Sequence, residues 1–177
     1  MGPDCLNTDL ILSSASGLFQ FPLLIAAAVL GGLELNSSAP FCHANQHSLG
    51  GFLHKHDAVV LCQENLATST TPLLSVVKHE LVHVVQDRLG RGGVGLLPDP
   101  LLTPLVRQLL PDREVMAVLM LYPTDQVNGE LEARLASRYL PSELIAIGLV
   151  STRVLGLNQA DAAHPMQSKT ALHGDGI

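Results

Sequence analysis

Apolar and polar positions along the chain predict one short strand followed by a series of helices. Ala58 to Cys62 is a brief apolar run rich in β-branched residues, which is typical of a strand. Pro72 to Leu89 is longer and apolar on nearly every side, so it predicts a buried helix with Thr71 as N-cap and Gly90 at its end. The expected fold is therefore a small α+β domain, mostly helical, in which a short sheet precedes a central helix.

Proline and glycine divide the rest of the chain. Gly50-Gly51 predicts a turn, and the polar residues 65–71 predict a connection before the central helix. Three prolines between residues 96 and 104 predict a loop or a short helix. Further helices are expected at about residues 112–122, 126–140 and 142–155.

Residues 10–33 form a segment without a charged side chain, long enough to reach across a bilayer. Gln20 and Pro22 interrupt it, and no basic residue precedes it as in a secretory signal. We interpret it either as a membrane-associated or export segment, which places the protein at a membrane or outside the cell interior, or as a buried helix of a cytoplasmic protein. The expected organisation is an apolar N-terminal segment over 1–38, a folded domain over 39–156 and a mobile polar tail over 157–177.

Charge and composition narrow the classes of partner. The 177 residues carry a formal net charge of -6, with no Lys or Arg before Lys55, which argues against a nucleic-acid partner. Trp is absent and Phe and Tyr are few, so bases would find little to stack on. Cys42 and Cys62 are expected either to pair as a disulfide in an exported protein or to remain buried thiols.

The central helix contains an HExxH motif. Residues four apart share one face of a helix, so His79 and His83 can present two imidazole nitrogens to one metal ion. Two neutral imidazoles with an open position suit Zn²⁺, which lowers the pKa of a bound water to about 7, and Glu80 is placed to accept the proton. The apolar flanks favour this interpretation over a chance spacing, because burying these three groups is costly unless a partner satisfies them.

A catalytic zinc site needs a third protein ligand. Asp87 lies about 12 Å along the helix axis from His79, which is too far to complete the site. Glu130 and Glu132 lie on a later helix, and we favour Glu130 because the residues on its face are small and let that helix approach the central one. Glu132 is the alternative ligand. Both can instead be solvent-exposed charges, with Glu130 and Arg134 as a surface pair.

The other histidines are not expected in the site. Four of them lie in a polar stretch without an apolar helix face and are predicted at the surface, and two lie in the expected tail. These are His43, His47, His54, His56, His164 and His173.

The motifs resemble those of a known class of enzymes. HELVH at 79–83 followed by ELEA at 130–133 resembles the zincin metallopeptidases whose third ligand is a glutamate in an ExxA helix. Over residues 42–137 the order and spacing of the motifs are similar to the family of mitochondrial inner-membrane metallopeptidases that process an ATP synthase subunit. The similar segments are Cys42, Gly50-Gly51-Phe52, residues 59–65 and residues 79–87. The resemblance implies a zincin-like domain with His79, His83 and Glu130 as zinc ligands and Glu80 as general base. That family has Asp where Gln86 stands here, and it has further cysteines, so its substrate is not implied.

The sequence thus predicts a zinc metallopeptidase acting on a protein or peptide substrate, with an oligomeric state left open. The strand at Val59, Val60 and Leu61 is expected to bind an extended substrate by edge pairing. An alternative is a zinc-binding assembly factor or chaperone for a membrane-protein client, suggested by the uncharged N-terminal segment. A further alternative is a helical binding domain in which HExxH occurs by chance.

Overall fold

The computed structural model describes residues 8–37, 40–44, 46–90 and 94–156. In these ranges the chain forms eight α-helices, three short strands and one 3₁₀ turn at His54–His56. The strands are β1 (Glu34–Asn36), β2 (Gly50–Leu53) and β3 (Ala58–Leu61). The helices are α1 (Thr8–Leu30), α2 (Pro40–Ala44), α3 (Gln63–Thr68), α4 (Leu73–Arg88), α5 (Asp99–Leu109), α6 (Asp112–Leu121), α7 (Thr124–Tyr139) and α8 (Ser142–Val154). The prediction of a small, mostly helical α+β domain is confirmed.

The sheet has the strand order β1-β3-β2. β1 runs parallel to β3, and β2 runs antiparallel to it, with Gly51 opposite Val60. β3 therefore lies in the middle, which agrees with its run of buried β-branched residues. A disulfide between Cys42 and Cys62 ties α2 to the end of β3.

The main core surrounds α4, which contacts α7, α8, α1 and the strands β2 and β3. Apolar residues lie on several sides of α4, as expected of a helix covered by other elements on most of its surface. The buried residues of this core include Leu24, Ala28, Val59, Val77, Leu81, Val84, Ala133, Ala136, Ile145 and Leu149. A second apolar cluster joins α5, α6 and α7 through Leu102, Val106, Val118, Leu131 and Leu135. Both clusters share α7, so its orientation is held from two sides.

The C-terminal part of α1 belongs to the main core. Leu24, Ala27 and Ala28 are buried there, and β1 pairs with β3 in the common sheet. The segment expected over 1–38 thus packs with the domain expected over 39–156. Among the described residues, no helix combines the length and apolar character needed to cross a membrane. The tail predicted over 157–177 lies outside the described residues.

Gly50-Gly51 does not form the predicted turn, because β2 begins at this pair. A Cβ at Gly50 would lie 3.2 Å from both Glu80 Cγ and Val76 Cγ1 on α4. At Gly51 it would lie 2.7 Å from the ring of Phe41. The two glycines allow the strand to lie close to its neighbours. A sequence pattern does not distinguish glycines needed for close packing from glycines needed for a turn.

Two more local predictions are wrong. The polar stretch expected to be a connection begins with helix α3, which covers Gln63–Thr68. The central helix has Pro72 rather than Thr71 at its N-cap, and no side chain caps it. Polar residues near Pro are common in loops and in short surface helices, so the pattern alone did not separate the two.

Candidate metal centre

α4 carries two histidines side by side. His79 and His83 are about one helical turn apart, and their Nε2 atoms lie 3.1 Å from each other. Val77, Leu81 and Val84 are buried in the core, which fixes the rotation of α4 and leaves the two imidazoles partly exposed. The exposed fraction is 17% for the side chain of His79 and 23% for that of His83. The pair is therefore accessible but held on a rigid element.

α7 brings a buried carboxylate to this pair. Glu130 Oε1 lies 3.4 Å from His79 Nε2, and Glu130 Oε2 lies 3.3 Å from His83 Nε2. Ala133, one turn further along α7, is fully buried against the core, so α7 can approach α4 closely. Ligand atoms of the three residues lie within 4.8 Å of one another. His79, His83 and Glu130 thus form a group that can hold a metal ion.

Electrostatics favour positive charge at this point. Burial by itself would lower the pKa of His83, but the hydrogen bond and charge of Glu130, with help from Glu80 and Gln86, raise this pKa to about 9. Burial by itself would raise the pKa of Glu130, but His79 and His83 hold this pKa well below its usual range. The buried carboxylate therefore stays ionised, and it attracts a cation in the same way as it attracts a proton.

Glu80 lies next to the group, and among the described residues it has no competing partner. It is largely buried and lines an open cleft of about 870 Å³ together with His79 and Glu130. No residue in the described part of the chain donates a hydrogen bond to its carboxylate, whereas Arg134 Nε donates to Glu130 Oε1 at 3.0 Å. The Glu80 carboxylate is thus free to accept a proton in the cleft. The Glu130–Arg134 pair exists, but Glu130 is buried rather than a surface charge.

No known family, curated protein or solved structure matches this chain. The zincin resemblance carried by the motifs stays a prediction. The function proposed below rests on the geometry of the site.

Glu132, the alternative third ligand, lies elsewhere. Its Oε2 accepts the backbone N–H groups of Leu96 and Leu97 and lies 3.3 Å from Gln86 Nε2. Two positions along a helix differ by about 200° in direction, so Glu130 and Glu132 cannot serve the same site. Glu132 anchors the segment that leads into α5.

Gln86 is a site residue that sequence reasoning missed. Its Oε1 lies 2.9 Å from His83 Nδ1, and the side chain is fully buried. The available signal was a polar side chain three positions after His83, which is the helical spacing for contact with the ring.

The expected substrate contact at Val59, Val60 and Leu61 needs correction. These residues lie in β3, whose edges are both paired, to β1 along Val59 and Val60 and to β2 along all three. A strand with neighbours on both sides has no free row of N–H and C=O groups for a peptide. The strand next to the cleft with a neighbour on one side only, among the described residues, is β2.

The histidines predicted at the surface are exposed where the structure describes them. His43, His47, His54 and His56 all lie outside the core, so that prediction is confirmed. The Oδ1 atom of Asp87 lies 2.8 Å from His54 Nδ1, and Asp87 is not among the three residues of the candidate metal centre. His164 and His173 lie outside the described residues.

Proposed function

We propose that the protein is a zinc-dependent peptidase. The observation that carries the proposal is the convergence of two imidazole nitrogens and one carboxylate at an open cleft that Glu80 also lines, where the Glu80 carboxylate accepts no hydrogen bond from the described residues. A structural zinc site is usually closed by four protein ligands, whereas three protein ligands with an open position are typical of catalytic sites. A general base within the same cleft favours hydrolysis over metal storage.

The donor set fits zinc in type and spacing. Two neutral imidazoles and one carboxylate are the protein ligands of one common class of catalytic zinc site. Atoms bound to zinc at about 2.0–2.1 Å in a tetrahedral arrangement lie about 3.3 Å apart. The corresponding separations here are 3.1 Å between the two Nε2 atoms, 3.4 Å from His79 to Glu130 and 3.3 Å from His83 to Glu130.

The side chains divide the work of hydrolysis. A zinc ion held by His79, His83 and Glu130 supplies Lewis-acid chemistry, which polarises a carbonyl group and makes water more acidic. The Glu80 carboxylate accepts the proton of the attacking water and passes it to the nitrogen of the leaving amine. Arg134 donates to Glu130 Oε1 and keeps this carboxylate turned toward the histidines.

An extended peptide is the substrate class that best suits the cleft. Gly50 of β2 lines the cleft beside Glu80, and β2 has a strand neighbour on one side only within the described ranges. A peptide that pairs with the other side of β2 would gain backbone hydrogen bonds that do not depend on its side chains. Such pairing would place the scissile bond of the peptide beside Glu80 and the three candidate zinc ligands.

The test measures zinc content and hydrolysis on the full chain. The purified protein is loaded with zinc, its metal content is determined, and cleavage of a quenched fluorescent peptide library is followed. Glu80→Gln should retain zinc and lose about 10²–10⁴-fold in rate, because it removes the proton acceptor. Glu64→Gln is the matched control, since Glu64 is exposed on α3 and does not line the cleft.

The outcomes separate the classes of function. Zinc-dependent cleavage that is lost in Glu80→Gln and kept in Glu64→Gln supports the proposal. One equivalent of zinc without cleavage of any library member contradicts it and favours the assembly factor or chaperone. A protein that binds no zinc would leave HExxH as a chance spacing in a helical binding domain.

A further inference from the structure

The partners of Gln86 determine the orientation of its amide group. Its Nε2 lies 3.0 Å from the carbonyl oxygen of Gly129 and 3.3 Å from Glu132 Oε2. Both of these atoms are acceptors, so the amide atom facing them must be the NH₂ group. The remaining amide atom, which faces His83, is then the carbonyl oxygen.

This orientation determines the tautomer of His83. The Gln86 oxygen is an acceptor only, and it lies 2.9 Å from His83 Nδ1, so this nitrogen must carry the proton. A neutral imidazole has one protonated nitrogen, which leaves the lone pair on Nε2. Nε2 is the atom that faces His79 and Glu130. Gln86 thus holds His83 in the tautomer that a metal ligand needs.

Glu132 lies behind Gln86 and is tied to the segment before α5. Its carboxylate receives the N–H groups of Leu96 and Leu97 in addition to the Gln86 amide. Gly95 has a positive φ of 84°, and a Cβ there would lie 2.5 Å from Glu132 Oε2. Only glycine allows the backbone to approach the carboxylate in this way. The segment, the carboxylate, the amide and the imidazole form one connected series of hydrogen bonds.

We propose that Gln86 and Glu132 are positioning residues of the metal centre, with Glu132 acting on His83 through the Gln86 amide. The inference rests on the metal site of the proposed function and not on peptide hydrolysis. The carboxylate orients and polarises the amide, and the amide fixes the ring of His83. The two buried glutamates of α7 then have separate tasks, since Glu130 binds the metal and Glu132 holds the support of a second ligand.

The test compares zinc dissociation constants, measured by competition with a chromophoric chelator on the full chain at one fixed pH. Gln86→Met keeps the length of the side chain and removes the acceptor, so zinc binding should weaken about 10–100-fold. Gln108→Met is the matched control, because Gln108 is exposed on α5 away from the cleft. An unchanged constant in Gln86→Met, with circular dichroism equal to the unaltered protein, overturns the inference.

A double-mutant cycle tests the route from Glu132. Glu132→Gln alone should weaken zinc binding by a smaller factor than Gln86→Met. The same substitution made in the Gln86→Met protein should have no further effect, because the amide through which it acts is gone. Additive losses would show that Glu132 acts by another route and would contradict the proposal.

A spectroscopic measurement decides the tautomer without any substitution. In the zinc-loaded protein, the ¹H–¹⁵N spectrum of the histidine rings should show His83 protonated at Nδ1, with slow exchange because this N–H is bonded to a buried acceptor. Protonation at Nε2 would overturn the inference even if every variant failed to fold. Zinc binding without peptide cleavage would refute the proposed function and leave these results valid.

Discussion

Neutralising each buried glutamate of α7 in turn should produce two different phenotypes. Glu130 and Glu132 are both buried on one helix, so Glu130→Gln and Glu132→Gln are equal in chemistry and in size. The partners differ: Glu130 faces His79 and His83, whereas Glu132 accepts backbone N–H groups of the segment before α5. The first change should therefore affect zinc binding, and the second should affect mainly the stability of the fold.

The contacts give the expected magnitudes. Losing one charged member of a buried ionic group costs about 3 kcal/mol or more, which corresponds to at least roughly a hundredfold weaker zinc binding in Glu130→Gln. In Glu132→Gln the acceptor remains but its charge is lost, which weakens hydrogen bonds that are worth about 1.5–3 kcal/mol when charged. A loss of about 1–2 kcal/mol lowers Tm by about 2–8 °C in a chain of this length. Zinc affinity of this second variant should stay within about tenfold.

Two measurements on the same samples distinguish the effects of the two substitutions. Chelator competition gives the zinc dissociation constant, and differential scanning calorimetry of the metal-free protein gives Tm. Glu114→Gln serves as a control on a carboxylate that pairs with Arg138 near the surface. Zinc loss in Glu132→Gln with retention in Glu130→Gln would reverse the ligand assignment. Equal zinc affinity in both variants would refute the metal centre as described.

Three further predictions concern the pKa of His83, the close packing of Gly50 and the disulfide. The pKa of His83 is raised from 6.5 to about 9, so protonation of this ring stabilises the metal-free protein. This stabilising contribution is fully present below about pH 6.5 and is lost as the pH rises through about 9. Zinc requires neutral imidazoles, so the Tm difference between zinc-loaded and metal-free protein should widen from about pH 6 to about pH 9, and a constant difference would contradict this. Gly50→Ala places a Cβ 3.0 Å from the Val60 oxygen and 3.2 Å from Glu80 Cγ, so calorimetry should show Tm lower by about 2–10 °C and peptide cleavage should fall. Gly148→Ala, whose Cβ would meet only the two methyl groups of Val85 at 3.3 and 3.5 Å, should leave both unchanged or raise Tm. Replacing Cys42 and Cys62, which are 20 residues apart, by Ser should lower the free energy of unfolding by about 2–4 kcal/mol in urea titrations, and equal stability would contradict a constraining role for the disulfide.

Features that depend on neighbours in the sequence were predictable. The bounds of α4, α6, α7 and α8 differ by at most two residues from those expected, because helix periodicity and the prolines between helices are local signals. Short elements without such signals were not predicted, as α2 and α3 show. Gly50 misled for a related reason, since a glycine needed for close packing looks the same in the sequence as a glycine needed for a turn.

Pairing between distant elements is what the sequence pattern left open. β3 was recognised as a strand, but its central place follows from β1 and β2 lying on either side of it, and no property of Val59 or Val60 alone decides this. The burial of α1 against α8 and α4 likewise depends on partners more than 40 residues away along the chain. Such contacts are set by the packing of whole faces rather than by the residues of one segment.

The candidate site also combines features that one helix determines with features that only the tertiary structure determines. The i, i+4 geometry of a helix is sufficient to place His79 and His83 together, because it is a property of five consecutive residues. The small residues beside Glu130 indicated which face of α7 could approach α4, which is still a property of one helix. The link from His83 through Gln86 and Glu132 to Leu96 joins three separate parts of the chain. It exists only once α4, α7 and the segment before α5 are packed together, since buried polar groups find their partners through the tertiary fold.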